Sequence, residues 1–245
     1  MAPPKSSHKE PLAQDTLFAT SLEGPENKDC LLKSLPLRSP ALANRILGMT
    51  PLDTVRASFE EASRTLQAFR DDPDCLEQVE RFARAAHATL KNGGKLMSCG
   101  NGGSMCDAMH FAEEWTGRFR GNRSALPAIA FSDPSQLTCI ANDFGYEEVF
   151  ARSVEAYGRK GDLFVAISTS GNSPNILRAT EVARERGITV VGLLGKGGGQ
   201  LADLADLAII VPAATTSDRI QEVHIKVIHT VIETVERRLF PANYA

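Results

Sequence analysis

Five short apolar runs, set apart by segments of helical spacing, constrain this chain more than any other feature. The runs are Lys95–Cys99, Pro127–Phe131, Leu163–Ser168, Thr189–Leu194 and Leu207–Val211, and helical patterns occupy Met105–Thr116, Glu147–Tyr157 and Pro174–Arg186 between them. A strand with one face in water alternates apolar and polar residues. These runs are apolar almost throughout, so both of their faces must be covered. Buried strands joined through helices predict βαβ units, hence a parallel sheet with helices on both sides.

Two helices precede the first strand. Thr50 can cap the first, with Pro51 at its first position, and Leu52, Val55, Phe59, Ala62, Leu66 and Phe69 recur at three-to-four spacing. "DDPD" ends it and opens another, carrying Leu76, Val79, Phe82, Ala83, Ala86 and Leu90, which "KNGG" stops. So much apolar surface ahead of the sheet suits burial by a second subunit. A last helix, from about Asp218 to Phe240, is apolar around much of its circumference and is expected in a subunit interface. Residues 1–48 are broken by Pro and polar clusters and read as a disordered extension. Their acids, Glu10, Asp15, Glu23, Glu26 and Asp29, argue against a transit peptide. Residues 49–245 read as a single domain.

Composition limits the function classes. With 27 Lys and Arg against 30 Asp and Glu, the chain has no basic excess to attract nucleic acid. No apolar stretch approaches the ~20 residues of a membrane span, and no apolar signal region opens the chain. Five cysteines, without CxxC spacing, fit reduced thiols. A soluble cytoplasmic protein is expected.

Two strand-to-helix junctions carry unusual residues, where ligands of parallel sheets gather. "GNGGS", Gly100–Ser104, allows close backbone approach but lacks both the GxGxxG spacing and the Lys of a nucleotide loop. It reads equally as a tight turn or as an anion or oxyanion site. "STSGNSPN", Ser168–Asn175, sets hydroxyls before a helix opening at Pro174. Helix-terminal amides and hydroxyls bind a phosphate monoester without cationic side chains. Ser173 alone would suffice to cap that helix; Ser168, Thr169 and Ser170 need another reason.

His110 and Glu114 follow the Gly-rich turn at i and i+4, so they share a helix face. Such a pair suits a metal site or an acid and base, or makes a plain ion pair. Gln221, Glu222, His224 and His229 interrupt the apolar last helix. Gln221 and His229 stand eight residues apart, roughly 12 Å of rise. They would converge on one point only with a helix deviation or a second subunit.

"SCGNGGSMCDAMHFAEEWTGRF", "ANDFGYEEVFARSVEA", "GDLFVAISTSGNSPN" and "SDRIQEVHIKVIH" together resemble the sedoheptulose 7-phosphate (phosphoheptose) isomerases of the sugar isomerase (SIS) fold family. The likeness spans about Thr50 to Phe240. It implies a five-stranded parallel sheet in a flavodoxin-like three-layer α-β-α sandwich, preceded by helices. It also implies a homotetramer with active sites at subunit interfaces and a sugar-phosphate substrate. The implied reaction turns sedoheptulose 7-phosphate into D-glycero-D-manno-heptose 7-phosphate, leading to nucleotide-activated heptose for lipopolysaccharide core. Substrate contacts carried over by motif are Asn101, Gly102, Gly103, Glu114, Asn142, Asp143 and Gln221, with Ser168, Thr169, Ser170 and Ser173 on the phosphate. Zinc, one per subunit, is implied on His110, Glu114, Gln221 and His229, with Glu114 and His229 as the acid/base pair. Met105 departs from the His that some members carry there.

Some SIS-fold proteins are not enzymes. A DiaA-like regulator that binds the replication initiator DnaA is the alternative, and it should lack the Glu and His found here at 114 and 229. A sugar-phosphate-sensing transcription factor would need a DNA-binding module, and none is legible.

Overall fold

The computed structural model describes residues 49–245. The expectation of a disordered extension over residues 1–48 falls outside them. The chain divides into Met1–Val55, of which only residues 49–55 are described, and Arg56–Ala245.

Among the described residues two helices come first, α1 (Pro51–Asp71) and α2 (Pro73–Lys91). Thr50 and Asp53 cap α1 reciprocally, and Asp72 caps α2 by accepting from Asp74 N and Cys75 N, with Pro73 at its first position. Then follow β1 (Leu96–Gly100), α3 (Gly103–Thr116), β2 (Ala128–Ala130), α4 (Pro134–Phe144), α5 (Ala151–Tyr157) and β3 (Leu163–Ser168). α6 (Pro174–Glu185), β4 (Thr189–Leu194), α7 (Gly199–Leu204), β5 (Leu207–Ile210) and α8 (Ser217–Leu239) complete the order. The five strands are all parallel, in the order β2-β1-β3-β4-β5. Chain direction across the sheet reverses between β1 and β3, which makes their carboxyl ends the switch point.

Residue parity explains the layers. Leu163, Val165 and Ile167 of β3 pack into a core with α2, α3 and α8, while Phe164 and Ala166 pack with α4, α5, α6 and α7. Adjacent side chains point to opposite faces, so an all-apolar strand builds two cores. Trp115, Phe82 and Phe111 are fully buried, and Phe111 meets Trp115 edge-on at 5.7 Å. Truncating such a ring to alanine costs about 3–5 kcal/mol. At the amino end, Asp162 accepts from Lys95 N at 2.9 Å and Arg159 N at 2.8 Å, pinning β1 to β3.

Several expectations need correction. The pattern read as one helix over Glu147–Tyr157 divides into a 3-10 turn (Tyr146–Glu148) and α5. α4 and α7 stood unread between strands. The last helix does not need a partner for its apolar residues: Val227, Ile228, Val231 and Ile232 are buried within their own protomer, where α8 packs on α2 and α3.

Candidate active site

The loop from Thr169 to Ser173 joins β3 to α6 through Gly171, whose φ is +65°. A Cβ there would stand 1.7 Å from the Gly198 carbonyl oxygen, so only glycine closes this loop. Ser168 Oγ accepts from Gly171 N at 3.1 Å and lies 3.2 Å from Ser173 Oγ. Ser173 occupies the N-cap position of α6 yet makes no side-chain cap bond, so capping does not account for its hydroxyl. Thr169 Oγ1 lies 3.0 Å from Ser217 Oγ at the start of α8. These hydroxyls, with Asn101, Ser104 and Gln221, line a cavity of about 170 Å³ that no described lysine or arginine lines. Ser170 is outside that lining; its Oγ accepts from Asn172 N at 3.2 Å.

The Gly-rich turn forms the facing wall. Gly102, at φ +56°, is the N-cap of α3, and Gly103 leaves room for Gln221, whose amide a Cβ would meet at 2.7 Å. Asn101 and Asn175 exchange two amide bonds of 2.9 Å, and Tyr146 OH donates to Asn101 Oδ1 at 3.0 Å. Asn142 and Asp143 lie exposed at the end of α4, where Asn142 Nδ2 donates to Asp143 Oδ1 at 2.7 Å. Neither lines the cavity.

Further along α3, His110 Nε2 lies 3.2 Å from Glu114 Oε1 and 3.3 Å from His229 Nε2 on α8. Donor atoms of the three all fall within 4.8 Å of one another. Ligands of a tetrahedral zinc at 2.0–2.1 Å stand about 3.3 Å apart, so the spacing and the donor types fit one ion. Glu114 is 14% exposed against 38% for His110, which puts the carboxylate on the sheltered side. Burial holds the His229 imidazole below its ordinary pKa; charge on His110 adds to this and Glu114 opposes it.

α3 and α8 lie side by side with the same sense. Gln221 Nε2 donates to Ser104 Oγ at 3.3 Å in the first turn of α3, and His229 meets His110 further along. Gln221 therefore stands at the cavity in this chain, while His229 stands with the His110–Glu114 pair. Four residues escaped sequence reasoning. Asn175, Ser217 and Tyr146 are ordinary polar residues whose partners are distant in the chain. Asp107, one turn before His110, keeps Oδ2 buried without a partner among the described residues, and burial pushes its carboxyl up to about 6, with His110 opposing. A repeat of polar positions along α3 was its only signal.

The SIS domain family matches residues 59–195. The chain is 53% identical over 187 residues to the phosphoheptose isomerase of Vibrio cholerae serotype O1, covering 76% of this chain and 98% of that one. It is 54% identical over 187 residues to that of Sodalis glossinidius, covering 76% and 96%. Among solved structures, phosphoheptose isomerase GmhA from Neisseria gonorrhoeae superposes with a TM-score of 0.72 at 40% identity, over 76% of this chain and 99% of that chain. Similarity this high across nearly the whole length of its relatives means that the chain belongs to the phosphoheptose isomerase family of SIS-domain proteins.

Proposed function

We propose that this cleft converts D-sedoheptulose 7-phosphate to D-glycero-D-manno-heptose 7-phosphate by aldose–ketose isomerisation. The observation that carries this reading is the meeting of His110, Glu114 and His229, with a hydroxyl-lined cavity at the other end of the same helix. Gly103 and His110 are separated by about 10 Å of helical rise. That span suits a sugar with its phosphate and its reacting carbons at opposite ends.

Ser168, Thr169 and Ser173, with the N-terminus of α6, hold the phosphate, and Ser170 joins them from the rim. Asn101, Gly102, Gly103 and Gln221 take the sugar hydroxyls; Asn142 and Asp143, outside the cavity lining in this chain, are included as the resemblance implies. Glu114 removes a proton from C1 while the oxygen on C2 gains one, giving an enediol. Glu114 then returns a proton to C2 as the C1 hydroxyl loses its own. Hydrogens are relocated and no atom is gained. His229, whose lowered pKa favours the neutral imidazole, has one donor and one acceptor nitrogen and serves the oxygens.

His110, Glu114 and His229 would hold a zinc ion, one per subunit; Gln221, the fourth donor implied by the resemblance, stands at the cavity in this chain and would reach that ion only from a neighbouring copy. When bound, that ion polarises the substrate carbonyl as a Lewis acid. A carboxylate committed to a metal is a weaker base, and proton transfer is the main role assigned to Glu114.

A homotetramer with active sites at subunit interfaces is part of this reading. Phe59 and Leu66 of α1, 71% and 42% exposed, support it, since they flank an apolar groove that a second copy would fill. No helix among the described residues is long and apolar enough to cross a membrane, in keeping with a cytoplasmic supplier of activated heptose for lipopolysaccharide core. Purified protein incubated with sedoheptulose 7-phosphate, with and without chelator, should form the aldose by NMR. No product under any metal condition would favour the initiator-binding regulator.

A further inference from the structure

α3 stops at Thr116, before the amides that would serve the carbonyls of Glu114 and Trp115 in a longer helix. One side chain from the following loop reaches both, and Leu126 N shares the Trp115 carbonyl at 3.0 Å. Arg123 Nη2 donates to Glu114 O at 2.6 Å, and Nη1 donates to Trp115 O at 2.8 Å and Gly117 O at 3.1 Å. Arg123 Nε donates to Glu236 Oε1 on α8, and Glu236 Oε2 accepts from Tyr244 OH at 2.8 Å. Neither the Arg123 nor the Glu236 side chain has exposed surface.

We infer that Arg123 is a positioning residue for the isomerisation, holding Glu114 and His229 in register; this rests on the roles proposed above for those two residues. Glu114 sits in the last turn of α3, where a helix frays unless its carbonyls are engaged, and a cation there also opposes the helix dipole. Glu236 lies seven residues beyond His229, two turns on and on the same face of α8. A single guanidinium is thus bonded to the backbone of one reacting residue and, through Glu236, to the helix of the other. This bond ties α3 to α8 beyond the 3.3 Å contact of His110 with His229, in addition to their apolar packing. Stability alone does not explain it, because a buried ion pair is often replaceable by apolar residues without loss.

Arg123→Lys keeps a charge opposite Glu236 but lacks the planar fork that reaches two carbonyls. It should fold, leave KM nearly unchanged because the cavity is untouched, and lower kcat on the order of tenfold to a hundredfold. Cobalt titrated into the metal-free protein should bind on the order of tenfold more weakly, a readout independent of turnover. Where the Lys variant does not fold, the double variant Arg123→Met with Glu236→Met leaves no buried charge unpaired and carries the same test. Wild-type kcat and cobalt affinity in either folded variant would overturn the inference. Glu114→Gln, assayed alongside, separates the two claims: if it retains turnover, the role given to Glu114 fails, and cobalt affinity alone judges Arg123.

Discussion

His229 Nε2 lies 3.3 Å from His110 Nε2, across the seam between α8 and α3, with Glu114 Oε1 3.2 Å from the same His110 nitrogen. The three donor atoms, all within 4.8 Å of one another, are spaced to hold one cation. Metal-free protein titrated with cobalt should therefore show a single tight site per chain by visible absorption. His110→Ala should weaken that binding on the order of a hundredfold or more. Unchanged cobalt affinity in that variant would remove the metal reading of the cluster.

Glu114→Gln keeps the shape of the side chain and removes its basicity. Turnover should fall by at least about three orders of magnitude, while the folded assembly and binding of the sugar phosphate persist. Near-normal turnover would overturn the assignment, and calorimetry with the substrate separates lost chemistry from lost binding.

Gly171 tests the phosphate cradle through the backbone. Gly171→Ala brings a Cβ onto the Gly198 carbonyl oxygen and places alanine at φ +65°, so the loop must move. The expected result is a rise in KM of about tenfold or more, with a smaller change in kcat. A normal KM would mean that the phosphate sits elsewhere.

The sheet was legible because its strands are apolar on both faces, and that pattern has no other stable use in a chain of this length. α4 was not: its sequence, "PSQLTCIANDF", mixes polar residues throughout, and only Ile140 among them is buried. α8 was legible as a helix but was assigned the wrong cover, since sequence cannot say whether α2 and α3 or a neighbour lies against it. The i, i+4 spacing of His110 and Glu114 was readable in advance, whereas the approach of His229 depends on how two helices pack. Arg123 had no local signal, because its carboxylate partner, Glu236, lies 113 residues away.

α1 presents Phe59, 71% exposed, beside a groove lined by Ala62, Leu66 and Val223. Phe59→Asp should leave the protomer folded, because the ring contributes little to its own core. It should shift the protein toward smaller species in sedimentation experiments at micromolar concentration. An unaltered mass would show that the subunit contacts lie on another face.

His224 is fully buried, with Nε2 against Leu194 O at 3.0 Å and Nδ1 unpartnered among the described residues. Burial lowers its pKa from 6.5 to about 4, and the bond to Leu194 opposes this only in part. Above the unfolded value the imidazole is neutral in both states, so this residue adds no pH dependence there. As pH falls below it, the unfolded chain takes up a proton that the folded chain refuses, and stability drops until the folded value is reached. The loss is on the order of 3 kcal/mol across that window. Urea unfolding from pH 7 to pH 4 should show it, and His224→Gln, which can keep the donor to Leu194, should have the shallower slope despite a lower starting stability. Parallel slopes for the two proteins would show that other groups set the acid limit.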